Sequence, residues 1–109
     1  LPLAADLVFD VRFMPNPYYV EELKEKTGLD EYVRDFVLGF HQTRSFLEKL
    51  QEMLTFLLPL YAEEGKTMLV IAIGCTGGHH RSVAVAHEVA DYIMKAGYPV
   101  TENHRDISR

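Results

Sequence analysis

Cys75 and Arg81 stand with five residues between them, and Gly78 and Ser82 complete the pattern Cys-x-x-Gly-x-x-Arg-Ser. Two kinds of chemistry use such a spacing. A thiolate at Cys75 can attack phosphorus while Arg81 and the loop amides hold the phosphoryl oxygens. Alternatively, the loop holds an anion and transforms nothing. Three glycines among the five residues from Gly74 to Gly78 let the backbone turn tightly and approach a ligand closely. Thr76, Gly77, His79, His80 and Arg81 lie in the same turn, and a helix starts just beyond it. Its N–H groups and the positive end of its dipole favour a phosphate. A phosphate dianion there favours the imidazolium form of either histidine, so affinity should fall as pH rises.

Each reading has a plainer competitor. Glycines after a strand also serve close helix packing, and a lone cysteine in such a turn is commonly buried and inert. Compared with the loop of cysteine-dependent phosphatases, Gly74 replaces the usual histidine. Asp10, on a neighbouring strand end, is the sole candidate for a general acid. Asp10 and Arg12 either form a strand-end ion pair, or bind a sugar hydroxyl or amine and a phosphate respectively. His79 and His80 are adjacent and point different ways, while His41, His87 and His104 are scattered, so no zinc pattern emerges. His104 with Arg105 also reads as a solvated tail, and Tyr18 with Tyr19 as packing beside a turn.

These residues need elements to position them. Met68 to Ile73 is an unbroken apolar run, which predicts a strand covered on both faces. From Ser82 the period becomes helical, with Val85, Ala86, Val89, Ala90 and Ile93 on one side and His87, Glu88, Asp91 and Lys95 on the other. Gly97 ends that helix. Upstream, Asp6 to Phe13 predicts a first strand, stopped by Pro15, Asn16 and Pro17. Val20 to Lys26 predicts a short helix halted at Thr27-Gly28. Asp30 caps a second one that buries Tyr32, Val33, Phe36 and Val37. A long helix from about Gln42 to Glu63 carries a broad stripe of Phe46, Leu47, Leu50, Met53, Leu54, Leu57, Leu58 and Tyr61, placed against one flank of a sheet. Pro59 should kink it. Tyr98 to Glu102 predicts a third strand. The expectation is an α/β domain, a small, mostly parallel sheet flanked by helices. Ligands then gather beyond the strand ends, where Asp10 with Arg12, Cys75 to Arg81, and His104 with Arg105 would converge.

Composition narrows the choice. The chain has 109 residues, 48% hydrophobic and 25% charged, enough for one core. No apolar run reaches the roughly 18 to 20 residues of a membrane span. No secretory signal pattern is visible, and one cysteine cannot form an internal disulfide; both fit a cytoplasmic protein without membrane partners. A net charge of -5 argues against broad adhesion to nucleic acid, so any RNA contact requires a local basic patch. Leu1 is not an initiator methionine, and Leu1 to Ala5 resembles a cut linker, as in a domain excised from a two-domain protein.

Asp-Val-Arg-Phe-Met-Pro-Asn-Pro from Asp10, Thr-Gly-Leu-Asp from Thr27, Gly-Cys-Thr-Gly-Gly-His-His-Arg-Ser-Val from Gly74 and His-Arg-Asp from His104 occur in order. Together they resemble the C-terminal domain of the RapZ/YvcJ family, bacterial RNase adapters and nucleotide-binding proteins, over essentially the whole chain. The resemblance implies a fold similar to a subdomain of phosphofructokinase and a homo-oligomer. It implies a missing N-terminal nucleotide-binding domain that would take ATP or GTP, leaving no cofactor here. It also implies a non-enzymatic regulator that binds glucosamine-6-phosphate and small regulatory RNA, and presents the RNA to an endoribonuclease.

By motif matching, Asp10, Arg12 and Asn16 would line the sugar-phosphate pocket, with Cys75, Thr76, Gly77, Gly78, His80 and Arg81 on its phosphate side. His79 and Ser82 extend the same loop. Arg12, His104, Arg105 and Arg109 are the candidate RNA contacts. Three departures stand out. Tyr18 replaces a histidine implicated in ligand contact, His79 replaces a lysine, and Asp106 interrupts a tail that is basic in enterobacterial members. Sugar-phosphate sensing therefore transfers better than RNA adaptation. A cysteine-dependent phosphatase using Cys75, Arg81 and Asp10 is the alternative.

Overall fold

The computed structural model describes residues 5–74 and 80–104. Strand β1 (Leu7–Asp10) pairs in parallel with β2 (Ile71–Gly74), Leu7 opposite Ile71 and Asp10 opposite Gly74. Three α-helices accompany this pair, α1 (Glu31–Leu38), α2 (His41–Glu64) and α3 (Arg81–Lys95). The result is an α/β arrangement with a small parallel sheet. Val33 and Val37 of α1, Leu50 and Leu54 of α2, and Val85 and Val89 of α3 meet in one core with Val11 and Met14.

Local chemistry explains the boundaries. Asp30 caps α1 by accepting from the Tyr32 N–H at 2.9 Å, as its position before an apolar periodic run predicts. Gly65 at φ +92° ends α2, and Gly97 at φ +101° follows α3 in the predicted left-handed conformation. Along α2 the buried apolar positions are Leu47, Leu50, Leu54 and Leu58, a narrower stripe than predicted, with Met53 half exposed. The helix packs on α1 and α3 and reaches the sheet through Phe46, edge-on to Phe9 with centroids 5.8 Å apart. It runs on through Pro59.

Several expectations are corrected. The first strand stops at Asp10 and not at Phe13. The Asp10 carboxylate accepts the Arg12 backbone N–H at 2.9 Å, and this side-chain turn competes with the ladder. The second strand begins at Ile71 and not at Met68. Its length follows its partner, since Asp6 and Leu7 offer pairing only from Val70 onward. Val20 to Lys26 forms successive turns after a 3-10 turn at Pro17–Tyr19, with Lys24 N–H bonded to the Val20 carbonyl. So few residues between Pro17 and Gly28 cannot offset the cost of a helical nucleus. Tyr32 is 67% exposed, because the cap turns its side chain outward, where Lys26 lies over the ring. Tyr98 to Glu102 forms no strand among the described residues, and the segment is held by side chains instead of a ladder.

Candidate functional site

The parallel pairing brings the ends of β1 and β2 level, Asp10 beside Gly74. The last rung is the Val11 N–H donating to the Gly74 carbonyl at 2.9 Å. The chain leaves β1 through a turn at Val11 to Met14 and enters α3 at Arg81, and these two places are joined directly. Arg81 Nη1 donates to the Arg12 carbonyl at 2.6 Å and to the Met14 carbonyl at 3.0 Å. Arg81 thus fastens the β1 exit turn to the helix that follows the glycine loop.

Arg81 is only 5% exposed, and His80 and Ser82 beside it are also buried. Its Nε has no hydrogen-bond partner, and no ion pair among the described residues includes Arg81. A guanidinium stays charged in a protein, and an uncompensated buried charge is costly. Arg81 is therefore a buried cation without an ion-pair partner among the described residues, where two parallel strands end and a helix begins.

Gly28 secures the same place from another side. A Cβ at this position would lie 2.4 Å from the His80 carbonyl oxygen and 2.5 Å from the Ala84 nitrogen. Only a residue without a side chain lets the turn before α1 lie against the first turn of α3. The sequence marks Gly28 as a helix stop, and nothing local in the sequence signals this contact.

On the open side lies a cleft of about 1040 Å³ between the sheet, α3 and the segment after Gly97. Asp10, Arg12, Gly74, Ser82, Glu102 and His104 are among its lining residues. Asp10 receives Arg12 in a forked ion pair, with Nε at 2.9 and 3.0 Å and Nη2 at 2.6 Å. The Arg12 side-chain and backbone hydrogen bonds lower the Asp10 pKa, and the nearby Arg81 charge adds to this. Asp10 in turn raises that of Arg12. A carboxylate held ionised accepts hydrogen bonds well and donates a proton poorly.

Of the predicted site residues, Asp10, Arg12, Ser82 and His104 share the cleft, and Arg81 lies behind Arg12. Asn16 is not among the lining residues. Its Oδ1 accepts from the Tyr18 N–H at 3.0 Å and caps the 3-10 turn. Cys75, Thr76, Gly77, Gly78, His79, Arg105 and Arg109 lie outside the described residues. Glu102, which sequence reasoning passed over, sits between two imidazoles in the cleft wall. Among the described residues no His, Cys, Asp and Glu group is arranged to hold a metal, and no helix is long and apolar enough to cross a membrane.

Comparison with known proteins gives the family. The profile of the RapZ C-terminal domain matches residues 1–108. A nucleotide-binding protein of Clostridium novyi is 55% identical over 108 residues, covering 99% of this chain and 37% of the relative. Another, of Caldicellulosiruptor saccharolyticus, is 59% identical over 109 residues, covering 100% of this chain and 37% of the relative. A third, of Geobacillus thermodenitrificans, is 56% identical over 109 residues and covers 100% and 36%. The chain thus spans a little over a third of the length of these relatives. A profile match over all but one residue, joined to identity above one half in each relative, makes this chain a member of the RapZ C-terminal domain family.

Proposed function

We propose that this domain is a non-enzymatic sensor of a phosphorylated amino sugar, of which glucosamine-6-phosphate is the type. The observation that carries the reading is the buried Arg81 at the ends of two parallel strands, which makes no ion pair among the described residues. A phosphoryl group placed there compensates the charge and takes further N–H groups from the start of α3. Asp10, kept ionised by Arg12 at the cleft rim, serves the sugar as an acceptor for an amine or hydroxyl. The relatives are named nucleotide-binding proteins, and a phosphate-holding site is common to both ligand classes. In this reading ATP or GTP belongs to another part of such longer proteins.

Ligand binding here would set how the domain, as a cytoplasmic homo-oligomer, presents small RNA to an endoribonuclease. Arg12, His104, Arg105 and Arg109 are the RNA contacts in this reading, with Arg12 paired to Asp10 and His104 to Glu102. Salt-dependent gel shifts, with and without charge reversal at Arg12, Arg105 and Arg109, test that patch. Retained RNA binding in the reversed variant excludes it.

Isothermal calorimetry with glucosamine-6-phosphate, glucose-6-phosphate and ATP tests the sensor itself. The amino-sugar phosphate should bind in the micromolar range and more tightly than the other two. Absence of heat with both sugar phosphates overturns the reading. An aryl-phosphate assay discriminates the phosphatase alternative, since turnover that disappears in Cys75→Ser would establish an enzyme.

A further inference from the structure

After Gly97 the chain runs back along α3 without joining the sheet, so something other than a ladder must hold it. Glu102 supplies the attachment. His87 Nδ1, on α3, lies 3.2 Å from both Glu102 carboxylate oxygens. His104 Nε2 lies 2.5 Å from Oε2. An ionised carboxylate only accepts, so each of these ring nitrogens carries the hydrogen. The His104 side chain is 12% exposed and lines the same cleft as Asp10, Arg12 and Ser82. Ser82 lies little more than one helical turn before His87, which brings this cluster close to the start of α3.

We infer that Glu102 is a positioning residue: accepting from His87 and His104, it pins the segment after Gly97 to α3 and sets the His104 imidazole in the cleft to hydrogen-bond a sugar-phosphate ligand. This rests on the sugar-phosphate reading of the cleft. The carboxylate fixes the His104 tautomer and the ring's orientation, as an acceptor behind an imidazole commonly does. His104 then contacts the ligand, while Glu102 acts through it.

Two measurements test the inference. Long-range imidazole NMR of the ligand-free protein should show His104 protonated at Nε2. Glu102→Ala should convert it to a tautomer mixture, and Glu102→Gln, whose amide oxygen still accepts, should restore the single form. An unchanged His104 spectrum in Glu102→Ala overturns the pin.

Calorimetry with glucosamine-6-phosphate should then show Glu102→Ala and His104→Ala each weakening binding by about threefold to tenfold, the worth of one hydrogen bond. The double variant should be no weaker than either single one, because both act through the same contact. Glu102→Gln should bind as the parent does. If the parent binds and Arg81→Ala does not, while Glu102→Ala and His104→Ala bind normally, the role of His104 is overturned and the sensor reading survives. If the parent binds no sugar phosphate, the sensor reading falls, and with it the ligand contact. The imidazole spectra still decide the pin.

Discussion

Arg81 answers two demands with one side chain. Nη1 bonds to the carbonyls of Arg12 and Met14, while the buried charge makes no ion pair among the described residues and acts on the Asp10 carboxylate only through space. Arg81→Lys should therefore keep the charge and lose the fork, weakening glucosamine-6-phosphate binding by tenfold or more, about 1.4 kcal/mol. Calorimetry on protein shown folded by circular dichroism checks this, and Arg81→Lys binding as the parent does would contradict it.

Gly28 is the second residue on which the site's geometry turns. A Cβ there would strike main-chain atoms of α3, and backbone cannot swing aside as a flexible side chain does. Gly28→Ala should destabilise the domain by about 1–3 kcal/mol or more, and weaken ligand binding as well. Urea unfolding measures the first effect. The sequence reveals a glycine in a turn at this position. It cannot reveal close approach, which depends on a helix more than fifty residues away along the chain.

Among the elements, the helices were the most legible in sequence. Asp30 as a cap, the 3.6-residue spacing of Leu47, Leu50, Leu54 and Leu58, and Gly97 as a terminator are local signals that the structure reproduces. The strands were less so. Where β1 ends is set by the Asp10 side chain, and where β2 begins is set by its partner, neither of which is a matter of apolar pattern. Tyr98 to Glu102 has strand-like residues, yet Glu102 is engaged by imidazoles on α3 and in the tail.

Thr43 in the first turn of α2 illustrates the same point within a helix. It is fully buried, and its hydroxyl has no hydrogen-bond partner. Burying an unsatisfied hydroxyl is unfavourable, so Thr43→Val should be neutral or stabilising by up to about 1–2 kcal/mol. Leu54→Ala, at a fully buried position on the same helix, should cost about 2–5 kcal/mol. Chemical denaturation of the two variants would separate a dispensable hydroxyl from an essential apolar contact.

At the scale of the whole molecule, a four-residue parallel pair carries the site, and it is secured at its far end by Asp6. Asp6 accepts from Lys66 at 2.8 Å and from the Val70 N–H at 2.8 Å, while its own N–H donates to the Val70 carbonyl. The Lys66 hydrogen bond, then the Val70 one, lower the Asp6 pKa, and Asp6 raises that of Lys66. The carboxylate's contribution is thus full above its unfolded pKa of roughly 3.9 and is lost as pH falls through the lowered folded value. The lysine's contribution is full below its unfolded pKa of roughly 10.4 and is lost as pH rises through the raised value. Thermal melting from pH 2 to 6 should show an acid-side loss that is reduced in Asp6→Asn. An unchanged acid profile in that variant would show that the clasp contributes nothing.

The proposed sensor requires a bound phosphoryl group at Arg81. Its most direct test is a crystal structure of the domain grown with glucosamine-6-phosphate. The prediction is a phosphoryl group within hydrogen-bond distance of the Arg81 guanidinium, with the sugar in the cleft beside Asp10. A ligand bound elsewhere, or full-occupancy solvent in that cleft at saturating ligand, would contradict it.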